Sequence, residues 1–119
     1  MAQRPTSKAG KLAEDFAARL LSSKGYKIID RNFRSRFGEI DIIATKGDCL
    51  IFIEVKARWS LKFGRPEEAV TAEKIRKITK TAEYYSMLHP EHPKSLRIEV
   101  LALEIEDGNL KSARVIPVY

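Results

Sequence analysis

Between residues 9 and 21 apolar side chains recur every three or four positions: Ala9, Leu12, Ala13, Phe16, Ala17, Leu20 and Leu21. That period predicts an amphipathic helix over 7–24. Thr6 or Ser7, after Pro5, supplies a cap, and Gly25 supplies a stop. From Tyr26 the pattern shortens. Tyr26 to Phe33, Glu39 to Ala44 and Leu50 to Ala57 are rich in Ile, Val and Phe and read as strands. Thr45-Lys46-Gly47-Asp48-Cys49 between the last two reads as a hairpin turn. Trp59 to Pro66 reads as an irregular loop, broken by Gly64 and Pro66. A second helix is predicted over 67–88, with Val70, Ile75, Ile78, Ala82 and Tyr85 on one side and a Glu73–Lys77 ion pair on the other. His89-Pro90-Glu91-His92-Pro93 ends it, and strands at Leu96 to Glu104 and Leu110 to Val118 follow around Asp107-Gly108. The order helix, three strands, helix, two strands predicts one α/β domain over 1–119 with a mixed sheet.

The hairpin carries the chemistry. Alternation puts Glu39, Asp41 and Ile43 on one face of the first hairpin strand and Ile40, Ile42 and Ala44 on the other. In the second, Leu50, Phe52, Glu54, Lys56 and Arg58 share a face, and Ile51, Ile53, Val55 and Ala57 make an apolar one. A two-residue loop at Gly47-Asp48, or a four-residue loop from Lys46 to Cys49, pairs residues whose numbers sum to 95. Asp41 then faces Glu54, and Glu39 faces Lys56. Opposed Cβ atoms lie about 4.5–5.5 Å apart, so the two acids repel. Either one carboxyl keeps its proton, a cation neutralises both, or the register differs. Hard oxygen donors suit Mg²⁺ or Mn²⁺, and the neighbouring Lys56 can orient an attacking water, or deprotonate it as the neutral amine. The plainer alternative is a Glu39–Lys56 salt bridge with Asp41 and Glu54 merely solvated.

Charge sharpens the picture. The 119 residues hold 22 Lys+Arg against 16 Asp+Glu, a net +6. Residues 39–55 hold four acids and one base, between flanks of 9 bases with 3 acids (1–38) and 8 bases with 3 acids (56–80). A basic surface attracts nucleic acid, and an acidic centre within it needs a reason. Arg34, Arg36, Arg58, Lys62, Arg65, Lys74 and Lys77 are the candidate phosphate contacts, with Arg58 first because it shares the face of Glu54 and Lys56. At 44% hydrophobic the chain is globular in composition. It has no run near the roughly 20 apolar residues of a membrane helix and no leader-like start, so the expected location is cytoplasmic. Cys49 is alone and reads as a small apolar residue. His89 and His92 read as loop residues rather than metal ligands. Trp59 reads as a core or dimer contact ahead of a base-stacking residue. Asp15 has Arg19 as a helical partner, whereas Glu14 has Ala18 and lies at the stripe's edge. By pattern alone Glu14 is an exposed residue near Lys11.

Gly38-Glu39-Ile40-Asp41-Ile42-Ile43 followed by Phe52-Ile53-Glu54-Val55-Lys56-Ala57-Arg58 resembles the YraN-like family of uncharacterised bacterial proteins (uncharacterised protein family 0102). Glu14-Asp15-Phe16-Ala17-Ala18-Arg19, Gly25-Tyr26, Arg31-Asn32, Gly64, Pro66, Ala69-Val70 and Lys74 extend the resemblance over most of the chain. Ala13 departs from the family's usual glycine, and Arg97-Ile98-Glu99 from Arg-Phe-Asp. The family is similar in turn to the restriction-endonuclease-like PD-(D/E)xK nucleases and to archaeal Holliday junction resolvases. That resemblance implies a central mixed five-stranded sheet flanked by helices. It implies an endonuclease site in which Asp41, Glu54 and the Val55 carbonyl hold Mg²⁺ (or Mn²⁺). Lys56 would assist the water, and Glu14 would complete the acidic cluster. The implied substrate is nucleic acid, DNA and branched DNA foremost, cut by a homodimer. The competing expectation is a non-catalytic module of the same fold that binds nucleic acid or protein.

Overall fold

The computed structural model describes residues 8–59 and 66–118. The chain runs α1 (Lys8–Ser23), β1 (Lys27–Ser35), β2 (Gly38–Lys46), β3 (Cys49–Arg58), a 3₁₀ turn (Pro66–Ala69), α2 (Ala72–Leu88), β4 (Ser95–Glu106) and β5 (Asn109–Pro117). The strands form one five-stranded sheet in the order β1-β2-β3-β4-β5. Only β3 and β4 are parallel. Parallel neighbours need a long crossover, which here is α2 with its flanking turns. This is the expected α/β architecture, a mixed sheet flanked by helices.

Local chemistry explains most boundaries. α1 closes in a Schellman arrangement: Tyr26 N–H donates to Leu21 C=O at 3.0 Å, Gly25 N–H to Ser22 C=O at 3.2 Å, and Gly25 takes φ 90°. α2 starts at Ala72, five residues later than the periodicity suggests. The Thr71 side chain accepts from Lys74 N–H at 3.2 Å and caps the helix there. The predicted Thr6/Ser7 cap lies outside the described residues. Gly47-Asp48 is the two-residue loop expected, with Gly47 at φ 59°. Asp107 and Gly108 both take positive φ at the β4–β5 turn, 52° and 77°. The pairs Ile42↔Ile53 to Lys46↔Cys49 have the predicted register.

The sheet is covered on both faces. Ala13, Ala17 and Leu21 of α1 pack on Ile42, Ala44, Ile51, Ile53, Leu101, Leu103 and Ile105. Ile78, Ala82 and Tyr85 of α2 pack on Ile40, Ile43, Leu50, Phe52 and Ile98. The alanines on α1 let that helix sit close to the sheet, which brings its next residue, Glu14, to the sheet's edge of contact. Strict alternation fails in β2. Ile40 packs on the α2 side while Ile42 packs on the α1 side, so the strand turns over at Asp41. The outer strand β1 is irregular nearby. It bulges between Ile28 and Asp30, and Asn32 takes φ 55° between the pairs Arg31↔Ile42 and Phe33↔Ile40.

One buried polar pair supports the α1 side. Tyr26 Oη donates to Glu99 Oε1 at 2.7 Å, and Glu99 is 3% exposed. Burial, then the Glu99 hydrogen bond and charge, push the Tyr26 phenol from 10.0 up to about 12. The raised value means that folding favours the neutral phenol. Its contribution is complete below pH 10.0 and is lost as pH rises through about 12. Tyr26→Phe removes the donor and strands a buried acceptor, a loss of about 1–3 kcal/mol in urea unfolding at neutral pH. An unchanged midpoint would show that Glu99 finds another donor.

Candidate active site

The pairing of β2 with β3 stops at Ile42↔Ile53, whereas β3 stays paired with β4 as far as Arg58↔Glu104. The two hairpin strands therefore part at Asp41 and Glu54. Asp41 Oδ2 accepts the Val55 N–H at 2.8 Å, so a side chain takes the place of the next ladder acceptor. This holds the carboxyl in the fork, against Glu54, with which it is hydrogen bonded. Glu54 is 5% exposed. Two carboxyls can share a hydrogen bond only through a proton. Burial, the bond to Glu54 and the charge of Glu54 push the Asp41 carboxyl from 3.8 up to about 9. Burial alone would raise Glu54 too, but its bonds to Asp41 and Lys74 outweigh this and hold it below its usual range.

Lys74, in the first turn of α2, reaches across to Glu54: its Nζ lies 2.8 Å from Oε2. Lys56 lies beside Lys74, whose charge disfavours a second ammonium there, so the cluster joins two acids to two amines. Burial and the neighbouring Lys74 lower the Lys56 pKa. Burial acts on Lys74 in the same sense, but its pairing with Glu54 outweighs it and keeps Lys74 charged. Lys56 is thus the amine more readily made neutral. Glu14 enters from α1. Its side chain is 13% exposed, lies 3.7 Å from Arg31 Nη2, and adds its charge to the field that raises Asp41. Glu14 is therefore not the exposed residue that pattern alone suggests. Asp15 pairs with Arg31 at 3.1 Å rather than with Arg19, whose guanidinium lies over Phe16.

Glu14, Asp41, the Val55–Trp59 segment and the start of α1 line a cleft of about 320 Å³. Arg58 lies in it, and its buried Nε meets no acceptor among the described residues. Trp59 is 43% exposed at the same cleft, not a core residue. A larger groove of about 640 Å³ runs between the β1–β2 turn and the start of α2, lined by Arg34, Arg36, Lys74 and Lys77 among others. Lys74 belongs to both the groove and the carboxylate cluster. Arg34 pairs with Glu39 at 3.3 Å, across β1–β2, so the Glu39–Lys56 opposition does not form: the β2–β3 ladder has already ended. Lys62 and Arg65 lie outside the described residues. The role of Lys74 beside Glu54 was not readable from spacing, because it depends on where α2 begins.

A family model described as uncharacterised protein family UPF0102 matches residues 13–103, a span that includes Glu14, Asp41, Glu54, Lys56 and Lys74. The chain belongs to the UPF0102 family. A UPF0102 protein of Syntrophomonas wolfei is 41% identical over 110 residues, which cover 92% of this chain and 96% of that one. A UPF0102 protein of Thermodesulfovibrio yellowstonii is 50% identical over 95 residues, 79% of this chain and 83% of that one. Among solved structures, a repair endonuclease from Pyrococcus abyssi matches 91% of this UPF0102 chain and 42% of its own length, with a TM-score of 0.42 and 18% identity. No described helix is long and apolar enough to cross a membrane.

Proposed function

We propose that this protein is a divalent-metal-dependent endonuclease that hydrolyses phosphodiester bonds in nucleic acid, with DNA, and branched DNA foremost, as substrate. The supporting observation is the fork: two carboxyls brought together at the parting of β2 and β3, where burial and mutual charge disfavour a second negative charge and a cation would offset it. Asp41, Glu54 and the Val55 carbonyl would hold Mg²⁺ or Mn²⁺, with Glu14 completing the acidic set; hard oxygen donors are what these ions select. Such an ion supplies Lewis-acid polarisation of the phosphodiester and a water of lowered pKa. Lys56 orients the attacking water and takes up its proton as the amine of lower pKa in the cluster. Lys74 offsets the charge of Glu54. Arg58 meets a phosphate oxygen in the cleft, and Arg34, Arg36 and Lys77 carry the flanking backbone along the groove. Lys62 and Arg65 belong to the same proposed contact set, and a homodimer would extend it over a duplex. The test is a panel of linear and branched DNA and RNA incubated with Mn²⁺, with Asp41→Ala as control. Metal-dependent cleavage absent from the control supports the proposal. Binding without cleavage of any substrate replaces it with a binding module.

The shared proton gives the reading a signature in pH. Asp41 is protonated below about 9 in the metal-free protein, and a cation must expel that proton. Apparent Mg²⁺ affinity therefore rises with pH, by about tenfold per unit below that value, and levels off above it. Metal-free stability runs the opposite way: the contribution of the neutral carboxyl is full below 3.8 and lost as pH rises through about 9. Calorimetry of Mn²⁺ binding in buffers of different ionisation enthalpy should count close to one proton released per ion at pH 7. Release of none would mean that the carboxyl pair is not the ion's site.

A further inference from the structure

We propose a second metal site, for a transition ion such as Zn²⁺, formed by His89, Glu91 and His92 where α2 ends. Their donor atoms, one from each residue, lie within 4.8 Å of one another. Glu91 Oε2 is the hub, 3.1 Å from His89 Nδ1 and 3.7 Å from His92 Nε2. Ligands of a tetrahedral zinc ion, at about 2.0–2.1 Å from the metal, stand roughly 3.3 Å apart, so small side-chain rotations close the set. Two imidazoles and a carboxylate leave a fourth position for water, and nitrogen donors select zinc, nickel or copper over magnesium.

The local fold holds the ligands in place before any ion arrives. His89 N–H caps α2 by donating to Tyr85 C=O at 3.1 Å, and His92 N–H closes a turn on His89 C=O at 3.1 Å. Pro90 lies within that turn and Pro93 follows it, and both restrict its backbone. Both imidazoles lie against one ring, that of Tyr85, at centroid distances of 4.3 Å and 6.3 Å. Tyr85 is 2% exposed and anchored in the α2-side core. Lys74, which reaches the fork, and His89 are 15 residues apart, a rise of about 22 Å along α2, so this site lies at the other end of that helix. The donors also differ in kind, so the two sites sort metals: oxygen-seeking ions to the fork, imidazole-seeking ions here. An ion at this site ties the end of α2 to the approach of β4.

Zinc chloride titrated into the full chain tests this, read by calorimetry, thermal melting and the imidazole resonances. We expect one Zn²⁺ per chain with a dissociation constant on the order of 10 µM or tighter, and coincident shifts of the His89 and His92 rings. At 100-fold excess over that constant Tm should rise by about 5–10 °C. His92→Ala should weaken binding by about tenfold or more. Glu91→Gln, at an exposed side chain, should do the same with little change in the zinc-free Tm. Neither variant should change Mg²⁺-dependent cleavage, so failure here and failure of the nuclease reading are separable. Zinc that leaves both imidazole signals unmoved, or binds both variants as tightly as wild type, overturns the site.

Discussion

Asp41→Asn abolishes metal-dependent cleavage, by about 10³-fold or more, and yet leaves the metal-free protein at least as stable as wild type at neutral pH. The two effects share one cause. The substituted carboxamide keeps both hydrogen bonds of the fork: its carbonyl oxygen accepts from Val55 N–H, as Asp41 Oδ2 does at 2.8 Å, and its NH₂ donates to Glu54 in place of the shared proton. It carries no charge to be buried or to repel Glu54. What it lacks is the anionic oxygen that a divalent ion requires. At neutral pH folding no longer has to bind a proton at this position; this is the familiar exchange of stability against function, and a gain of about 2–6 °C in Tm is the expected size. Melting in EDTA beside a cleavage assay reads both halves. A variant that cuts normally, or that melts several degrees below wild type, would sink the idea that the carboxyl pair is held together for a cation.

Lys56→Ala is expected to cost about 10²–10⁴-fold in cleavage while Mn²⁺ affinity stays within about threefold of wild type, because the amine acts on water and not on the ion. Lys56→Arg separates charge from proton transfer. Arginine restores positive charge but cannot take up a proton near neutrality. Recovery of most activity would assign Lys56 to charge stabilisation alone. Failure to recover, with an acid limb of the rate profile that vanishes in the variant, fits the amine whose pKa burial and Lys74 depress.

The core of this site was readable because hairpin geometry is rigid. One turn at Gly47-Asp48 sets the register of every pair up to Ile42↔Ile53, and Asp41 and Glu54 are the next residues along the two strands. The fork itself was not readable. It depends on Asp41 capturing a main-chain donor in the neighbouring strand, and on a left-handed residue, Asn32, in the strand on its other side. Strict alternation consequently misassigned Ile40, and it predicted a Glu39–Lys56 opposition where the ladder no longer runs. The start of α2 depended on whether the chain after Pro66 continued as helix. It makes a 3₁₀ turn and restarts at the Thr71 cap, which sets the phase that aims Lys74 at Glu54. The histidines needed tertiary information as well, since the core-anchored ring of Tyr85 is what gathers them.

The irregular backbone of β1 has a further outcome. β1 is one of the two outermost strands of the sheet, where unpaired main-chain groups invite another copy to dock edge-on. Its bulge before Asp30 and the left-handed turn of Asn32 spoil that template, and Lys27 at its start adds a like charge to each edge. Concentrated protein should resist amyloid-type stacking through this border. Two subunits that do associate must meet through some surface other than a continuous ten-stranded ribbon joined at β1.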